Sequence, residues 1–347
     1  MANPSLSYLY GKPEFTADLR TEMADFKVFE RLPFEPSGEG EHLLLHIRKT
    51  GCNTVFVARQ LAKFFGVKER DVTYAGLKDR FAVTEQWFGV HLPGKHDIDT
   101  AGFSEDGVEI LECTRHNKKL KTGALLGNTF KLTLRNVNDV LGLARKWQMV
   151  AAFGVPNYFG EQRFGIDGGN IEAAKAMFNG KKVRDKKKRS IYLSAARSFL
   201  FNSVVSKRVD DKSFEQPHAG DVMMLAGSQS IFKPETIDEE IIQRFQEKDI
   251  DMTAPMWGRG ALKTDENIGQ LEANLKKEFA ELCNGLEENG LKQERRRIRL
   301  NLTEADIEYS EQDKIVTLSF FLSSGCFATT ILRELVDYRD LTQRNKE

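Results

Sequence analysis

The amino-acid sequence predicts an α+β protein in which a sheet-bearing domain is interrupted by a largely helical insertion. Three observations carry that prediction. Strand-like runs alternate with helical periodicity up to residue 153, helical spacing dominates the middle, and strand-like runs return after Arg295. The expected boundaries are residues 1–153 with 304–347 for the sheet domain and 154–303 for the insertion. A chain of 347 residues is long enough for two domains, or for one domain carrying such an insert.

Residues 42–48 read as a strand, and Asn53 then reads as the N-cap of a helix turning Val57, Leu61, Phe64 and Phe65 inward, closed by Gly66. Val72–Tyr74 and residues 84–92 read as two more strands. Between them Gly76-Leu77-Lys78-Asp79-Arg80 reads as a short loop, where a rigid sheet would hold a side chain steady. Gly and Pro punctuate the chain at Gly154-Val155-Pro156-Asn157, and helical spacing follows. Leu193, Ala196, Leu200 and Val204 mark a helix from near Ser194. Ile268, Leu271, Leu275, Phe279, Leu282 and Leu286 mark one longer helix. Residues 297–302 and 315–322 read as strands, and residues 328–338 as a last helix.

Net charge is zero, from 51 basic and 51 acidic side chains, but the charges are unevenly spread. Residues 111–150 hold eight Lys and Arg against Glu112 and Asp139, and residues 161–200 hold ten against four acids. The second stretch includes Lys181-Lys182-Val183-Arg184-Asp185-Lys186-Lys187-Lys188-Arg189. Acidic residues gather instead over residues 235–251 and 304–313. Such a chain can present one positive and one negative face, although solvated loops account for the same pattern. Four cysteines lie far apart with no C-x-x-C pair, which argues against a zinc ribbon or a disulfide framework and fits a reducing compartment. The start of the chain lacks a basic-then-apolar leader pattern, and no apolar run approaches the roughly 20 residues of a membrane span. The expected location is the cytoplasm.

Among possible chemical motifs, several are decoys. Gly89-Val90-His91-Leu92-Pro93-Gly94-Lys95 has phosphate-loop spacing, but His96 stands where a Ser or Thr must hold magnesium. Asp97-Ile98-Asp99 is a poor helix start, so phosphates would find no helix N-terminus there. His42 and His46 lie four apart on a strand, with no following Glu, and form no zinc motif. Neither a dinucleotide fingerprint nor a serine nucleophile elbow is present. What remains is a carboxylate between two cations, Lys78-Asp79-Arg80. Three residues alone describe a surface-turn aspartate far better than they describe a catalyst. A carboxylate between cations suits nucleophilic or electrostatic work better than general-acid work. With no second acid and no metal motif beside it, glycosidase and nuclease chemistry are disfavoured.

Gly76-Leu77-Lys78-Asp79 followed by Ala82-Val83-Thr84-Glu85-Gln86-Trp87 resembles the catalytic motif of the TruD pseudouridine synthases. The resemblance continues through Gly127-Asn128-Thr129-Phe130 and through Val155-Pro156-Asn157-Tyr158-Phe159-Gly160-Glu161-Gln162-Arg163-Phe164-Gly165. It extends to Lys188-Arg189-Ser190 with Leu193-Ser194-Ala195-Ala196-Arg197-Ser198, to Gly325-Cys326-Phe327-Ala328-Thr329, and to Arg333-Glu334-Leu335. Gly11-Lys12-Pro13 and Asp25-Phe26 match near the start, so the motifs span nearly the whole chain in family order.

That resemblance implies a mixed, mostly antiparallel sheet of pseudouridine-synthase type with flanking helices, and an inserted domain forming one wall of an RNA cleft. It implies an isomerase that converts uridine to pseudouridine at tRNA position 13, with no cofactor, metal or obligate protein partner. Asp79 would be the nucleophile. Phe26, Asn128 and Phe327 would contact the target nucleotide, and Phe130 would help build the pocket. Read singly, an Asn beside Gly is a turn residue and a Phe in a strand is core. Arg20 stands where the resemblance puts a Lys that meets the aspartate, so a planar fork replaces a compact point charge. In the basic run, Lys186, Lys187, Lys188 and Arg189 are the expected phosphate contacts. The competing expectation is a non-catalytic RNA-binding protein or tRNA chaperone on the same scaffold. An RNA methyltransferase would need a methyl-donor site, and the sequence offers none.

Overall fold

The computed structural model describes residues 6–94 and 99–342. Lys95, His96, Asp97 and Ile98, on which the phosphate-loop reading turned, lie outside the described residues. The chain opens with β1 (Thr16–Leu19), β2 (Phe26–Arg31), β3 (His42–Thr50), α1 (Thr54–Phe64), β4 (Val72–Tyr74), β5 (Val83–His91), β6 (Val108–His116), β7 (Gly127–Arg135) and α2 (Val140–Phe153). The middle holds β8 (Val155–Pro156), α3 (Gly169–Phe178), α4 (Lys186–Asp210), β9 (Met223–Leu225), β10 (Ile231–Phe232), α5 (Glu239–Gln246), β11 (Ile250–Met256), α6 (Glu266–Glu278), α7 (Ala280–Glu288), β12 (Glu294–Arg297) and β13 (Arg299–Leu300). It closes with β14 (Thr303–Ser310), β15 (Ile315–Ser323), α8 (Ala328–Leu335) and β16 (Asp337–Asp340).

Two compact units result. The sheet unit comprises Pro13–Ala152, Leu302–Ala328 and the chain from Leu335. Its ten-stranded sheet runs β14-β15-β7-β2-β5-β3-β6, with β4 beside β5, β1 beside β7 and β16 beside β1. Among the described residues only β2 with β5 and β1 with β16 pair in parallel. The sheet is therefore mixed and mostly antiparallel. Its core forms where alternate side chains of the strands meet the helices. Val57, Ala58 and Leu61 of α1 cover Leu45, Ile47 and Phe88, while Trp147 of α2 packs on Phe320 of β15, 5.7 Å between ring centres. Asn53 caps α1 as its side chain accepts from the Phe56 N–H at 2.8 Å, and Gly66 ends it at φ 65°. Phe64, expected inward, is exposed in the last turn, where its ring leans edge-on against Phe65 and Phe103.

The second unit comprises Phe153–Asn301, the N-terminal segment up to Lys12, and Thr329–Glu334 of α8. The last two pieces join it through side chains no periodicity could reveal. The Arg333 guanidinium sits 3.7 Å from the Tyr8 ring centre, and Glu334 accepts from the Leu9 N–H at 2.9 Å. Besides its helices this unit carries a four-stranded sheet, β10-β9-β11-β12, which the sequence reading did not foresee. Helix α4 begins at Lys186 rather than near Ser194, because Asp185 caps it, accepting from the N–H groups of Lys187 and Lys188. Its first turn, Lys186-Lys187-Lys188-Arg189, is charged all round, so no apolar stripe announced it. The single long helix expected over residues 268–286 is two helices broken at Phe279, whose φ of −123° and ψ of 44° leave the helical region. That break lets the Phe279 ring meet Phe199 edge-on at 5.2 Å.

The C-terminal helix likewise stops at Leu335 instead of running to Tyr338. The next residues turn into β16, which Arg339 fastens to β1 by donating to both carboxylate oxygens of buried Asp18, at 2.8 and 2.9 Å.

The second unit also buries an ion pair completely, Arg208 with Asp221, joined by two hydrogen bonds of 2.5 and 2.9 Å. Removing one member leaves the other charge uncompensated in a dry interior. Asp221→Ala is therefore expected to destabilise this unit by about 3–5 kcal/mol, read from the shift of its urea unfolding transition.

Candidate active site

Residues 75–82, between β4 and β5, have no regular structure, and buried polar groups fix their path. Gly76 O accepts from the Gln86 side chain at 3.2 Å, and the Lys78 N–H donates to Thr54 Oγ1 at 2.9 Å. Thr54 in turn donates to Gln86 at 2.8 Å. The Lys78 ammonium pairs with Glu30 of β2, whose other oxygen accepts from the Trp87 N–H at 3.1 Å. The Asp79 carbonyl accepts from Lys49 Nζ at 2.7 Å, and that ammonium also donates to Cys52 O at 2.7 Å. Arg80 reaches Gly51 O at 3.0 Å. Each residue from Lys78 to Arg80 is thus tied to a different strand or turn. Lys49 is fully buried, and burial pushes its ammonium down from 10.5 to about 8, against the opposing pull of Asp79.

The Asp79 carboxylate stands at the tip of this loop, 40% exposed. Oδ1 accepts from the Phe81 N–H at 3.1 Å, and Oδ2 accepts from Arg20 Nη2 at 2.7 Å. Arg20 follows the last residue of β1 and has φ 58°, a left-handed conformation that costs a non-glycine residue roughly 1–2 kcal/mol. The turn after it is held by Arg135, which grips Asp25 through three contacts of 2.8–3.0 Å. The Arg20 fork spans two carboxylates, with Nη1 donating to Asp340 at 2.6 Å, and its guanidinium lies 4.1 Å from the Phe26 ring centre. Arg therefore does reach the aspartate, and its planar fork holds a second partner at the same time.

Phe26 meets Phe130 edge-on at 6.4 Å, and Phe130 stacks on Phe320 at 5.6 Å. Both Phe26 and Phe130 are buried, so together they make an apolar wall under Arg20. Asn128 lies two residues from Phe130 on the same face of β7, opposite Glu30 of β2 and Leu322 of β15. That register puts it beside the Glu30–Lys78 pair. Its Oδ1 is buried without a hydrogen-bond partner among the described residues, and such an atom calls for a donor from elsewhere. Phe327, in the turn before α8, is 40% exposed; among the described residues no ring contact or cation–π contact links it to Phe26 or Phe130. Lys186, Lys187, Lys188 and Arg189 stand in the first turn of α4, exposed, in the other compact unit. Arg189 there donates to Asn289 at 2.7 Å. In the same unit the motif segments at 155–165 and 193–198 meet where Arg163 donates to Ser194 at 3.1 Å.

The fold that carries this site has a counterpart among solved structures. The structure described as the putative tRNA pseudouridine synthase D (TruD) from Methanosarcina mazei matches over 99% of this chain and 97% of that one, with a TM-score of 0.72 at 20% identity, so the two share a fold. The family model for tRNA pseudouridine synthase D (TruD) matches residues 5–181 and 170–335. A Colwellia psychrerythraea protein named tRNA pseudouridine synthase D is 56% identical over 97% of this chain and 94% of its own length. A Shewanella oneidensis protein of the same name is 51% identical over 97% of this chain and 90% of its own. The chain belongs to the TruD family.

Sequence reasoning missed Lys49, Glu30, Thr54, Gln86 and Asp340. Lys49 gave one clue, since it follows Leu45 and Ile47 on the inward parity of β3, where a charge is out of place. Its depressed titration has a measurable consequence. Between about pH 8 and 10.5 the unfolded chain keeps a proton that folded Lys49 has released, so stability rises with pH across that window. At about 1.4 kcal/mol per unit the rise amounts to about 3 kcal/mol. Urea unfolding at both ends of the window is expected to show this increment in the parent protein and to lack it in Lys49→Met.

Proposed function

We propose that this protein is a tRNA pseudouridine synthase that isomerises uridine at tRNA position 13, with Asp79 as the carboxylate acting on the ribose. The observation that carries the proposal is the placement of Asp79: open to a ligand on one side, gripped by Arg20 on the other, and set in a loop with buried anchors. The family to which the chain belongs supports it, and so do relatives at 56% and 51% identity that bear the synthase name.

The reaction breaks the bond between ribose C1′ and base N1, turns the base, and joins C1′ to C5. The hydrogen leaving C5 is balanced by one gained at N1, so product and substrate have equal mass. No electrons are exchanged and no group is transferred to another molecule, so the chemistry requires no cofactor. The base must first leave its stack, at a cost of a few kcal/mol, and stacking on an aromatic side chain returns roughly 1–3 kcal/mol. Phe327 supplies the open ring for that contact, while Phe26 and Phe130 act as the packed wall behind the carboxylate. Asn128 Oδ1, without a partner among the described residues, accepts from the base or the ribose. Arg20 keeps Asp79 aimed at the sugar, whether the carboxylate adds to C1′ or takes the C2′ proton. The expected location of a tRNA-modifying enzyme of this kind is the cytoplasm.

Asp79→Asn keeps the shape of the loop but removes the reactive oxygen. Product formation, assayed by chemical labelling of pseudouridine, is expected to fall about 10⁴-fold or more while tRNA binding persists. Equal activity in the variant would end the assignment, and binding without activity in the parent protein would favour the chaperone alternative. The exposed start of α4 is assigned to phosphate contacts. Neutralising Lys186, Lys187 and Lys188 to Gln should weaken tRNA binding and flatten its salt dependence by about one unit of slope for each phosphate left without its lysine. Unchanged affinity and slope in a titration would remove that role.

A further inference from the structure

We infer that Asp340 is a positioning residue for this reaction, holding the Arg20 guanidinium so that one edge faces Asp79, and that the C-terminal strand is thereby part of the active centre. The inference rests on Asp79 being the catalytic carboxylate. Three observations converge on it. Arg20 Nη1 donates to Asp340 Oδ2 at 2.6 Å while Nη2 donates to Asp79 Oδ2 at 2.7 Å, so the two carboxylates share one fork. Asp340 is itself held in place, because its Oδ1 accepts from the Thr342 N–H at 3.1 Å and from the Thr342 hydroxyl at 2.8 Å. The register of β16 on β1 then brings it to Arg20. Leu19 pairs with Asp340, and one residue earlier Arg339 locks onto Asp18.

Arg20 needs such a holder. Strand alternation would turn its side chain to the side of Asp18, and the left-handed backbone at φ 58° turns it away. A guanidinium so redirected has several rotatable bonds to the chain and one open carboxylate to meet. Asp340 and the Phe26 ring, 4.1 Å from the guanidinium, remove that freedom before substrate arrives. A lysine at position 20 would have to meet both carboxylates from one nitrogen, without the planar fork that fixes the direction of each bond.

The test is a double-mutant cycle on tRNA pseudouridylation, with melting temperature followed alongside. Asp340→Asn keeps the size of the side chain and removes its charge. It is expected to lower kcat about 10- to 100-fold with KM and melting temperature little changed, as a misaimed catalytic group does. Arg20→Lys should give a similar loss, and the double variant should lose no more than either single one, because both remove the same aim. Thr342→Val, which takes away one donor to Asp340, should give a smaller drop in kcat, and it decides the matter if Asp340→Asn does not fold. Unchanged kcat in Asp340→Asn, losses that multiply in the double variant, or a rise in KM alone would each overturn the inference. A parent protein that makes no pseudouridine would instead overturn the proposed function, and this inference with it.

Discussion

The buried ammonium of Lys49 sets the geometry on which the candidate site depends. The aspartate loop is neither helix nor strand, so no ladder of backbone bonds holds it. Lys49 supplies two of the missing bonds, to the carbonyls of Asp79 and Cys52, from a position sealed off from solvent. Burying a charge is costly, and the depression of its titration to about 8 is a measure of that cost. Removing the ammonium would take away the side-chain donor shared by these two carbonyls. Glu30, Thr54 and Gln86 repeat the device around Lys78 and Gly76, so the loop is held from beneath by side chains of β2, β3, β5 and α1.

With the loop fixed from below, the aspartate can be aimed from the side. The parallel pairing of β2 with β5 brings the starts of both strands together, and with them the turn carrying Arg20 and Phe26 and the loop carrying Asp79. Phe26, Phe130 and Phe320 form an apolar wall, and the Arg20 guanidinium lies over its Phe26 end. Electrostatic interactions strengthen against such a low-dielectric surface. Asn128 Oδ1 adds one acceptor that no described residue satisfies.

The amino-acid sequence by itself determined the class of the fold, the interrupted order of its two parts, and the loop on which Asp79 stands. These depend on local chemistry: the apolar run within residues 43–47, the Asn53 cap, and Gly and Pro at 154–156. The motifs that tie the chain to its family were legible for the same reason, being short runs read in order. Elements without a local pattern were not legible. The first turn of α4 carries charge on every side, Phe279 breaks a helix at unbroken apolar spacing, and β16 reads as the tail of α8.

Tertiary structure alone added Lys49 and Asp340 to the surroundings of Asp79 and gave the Arg20 contact its geometry. Arg20, Lys49 and Asp340 come from three regions of the chain and meet through strand register and through pairs such as Arg339 with Asp18. A hydrogen bond between residues 320 positions apart leaves no periodic trace in the sequence, because its partners are chosen by packing in space. Even the exchange of Lys for Arg at position 20 gained its meaning there. Two carboxylates on either side of one fork are a fact of three dimensions.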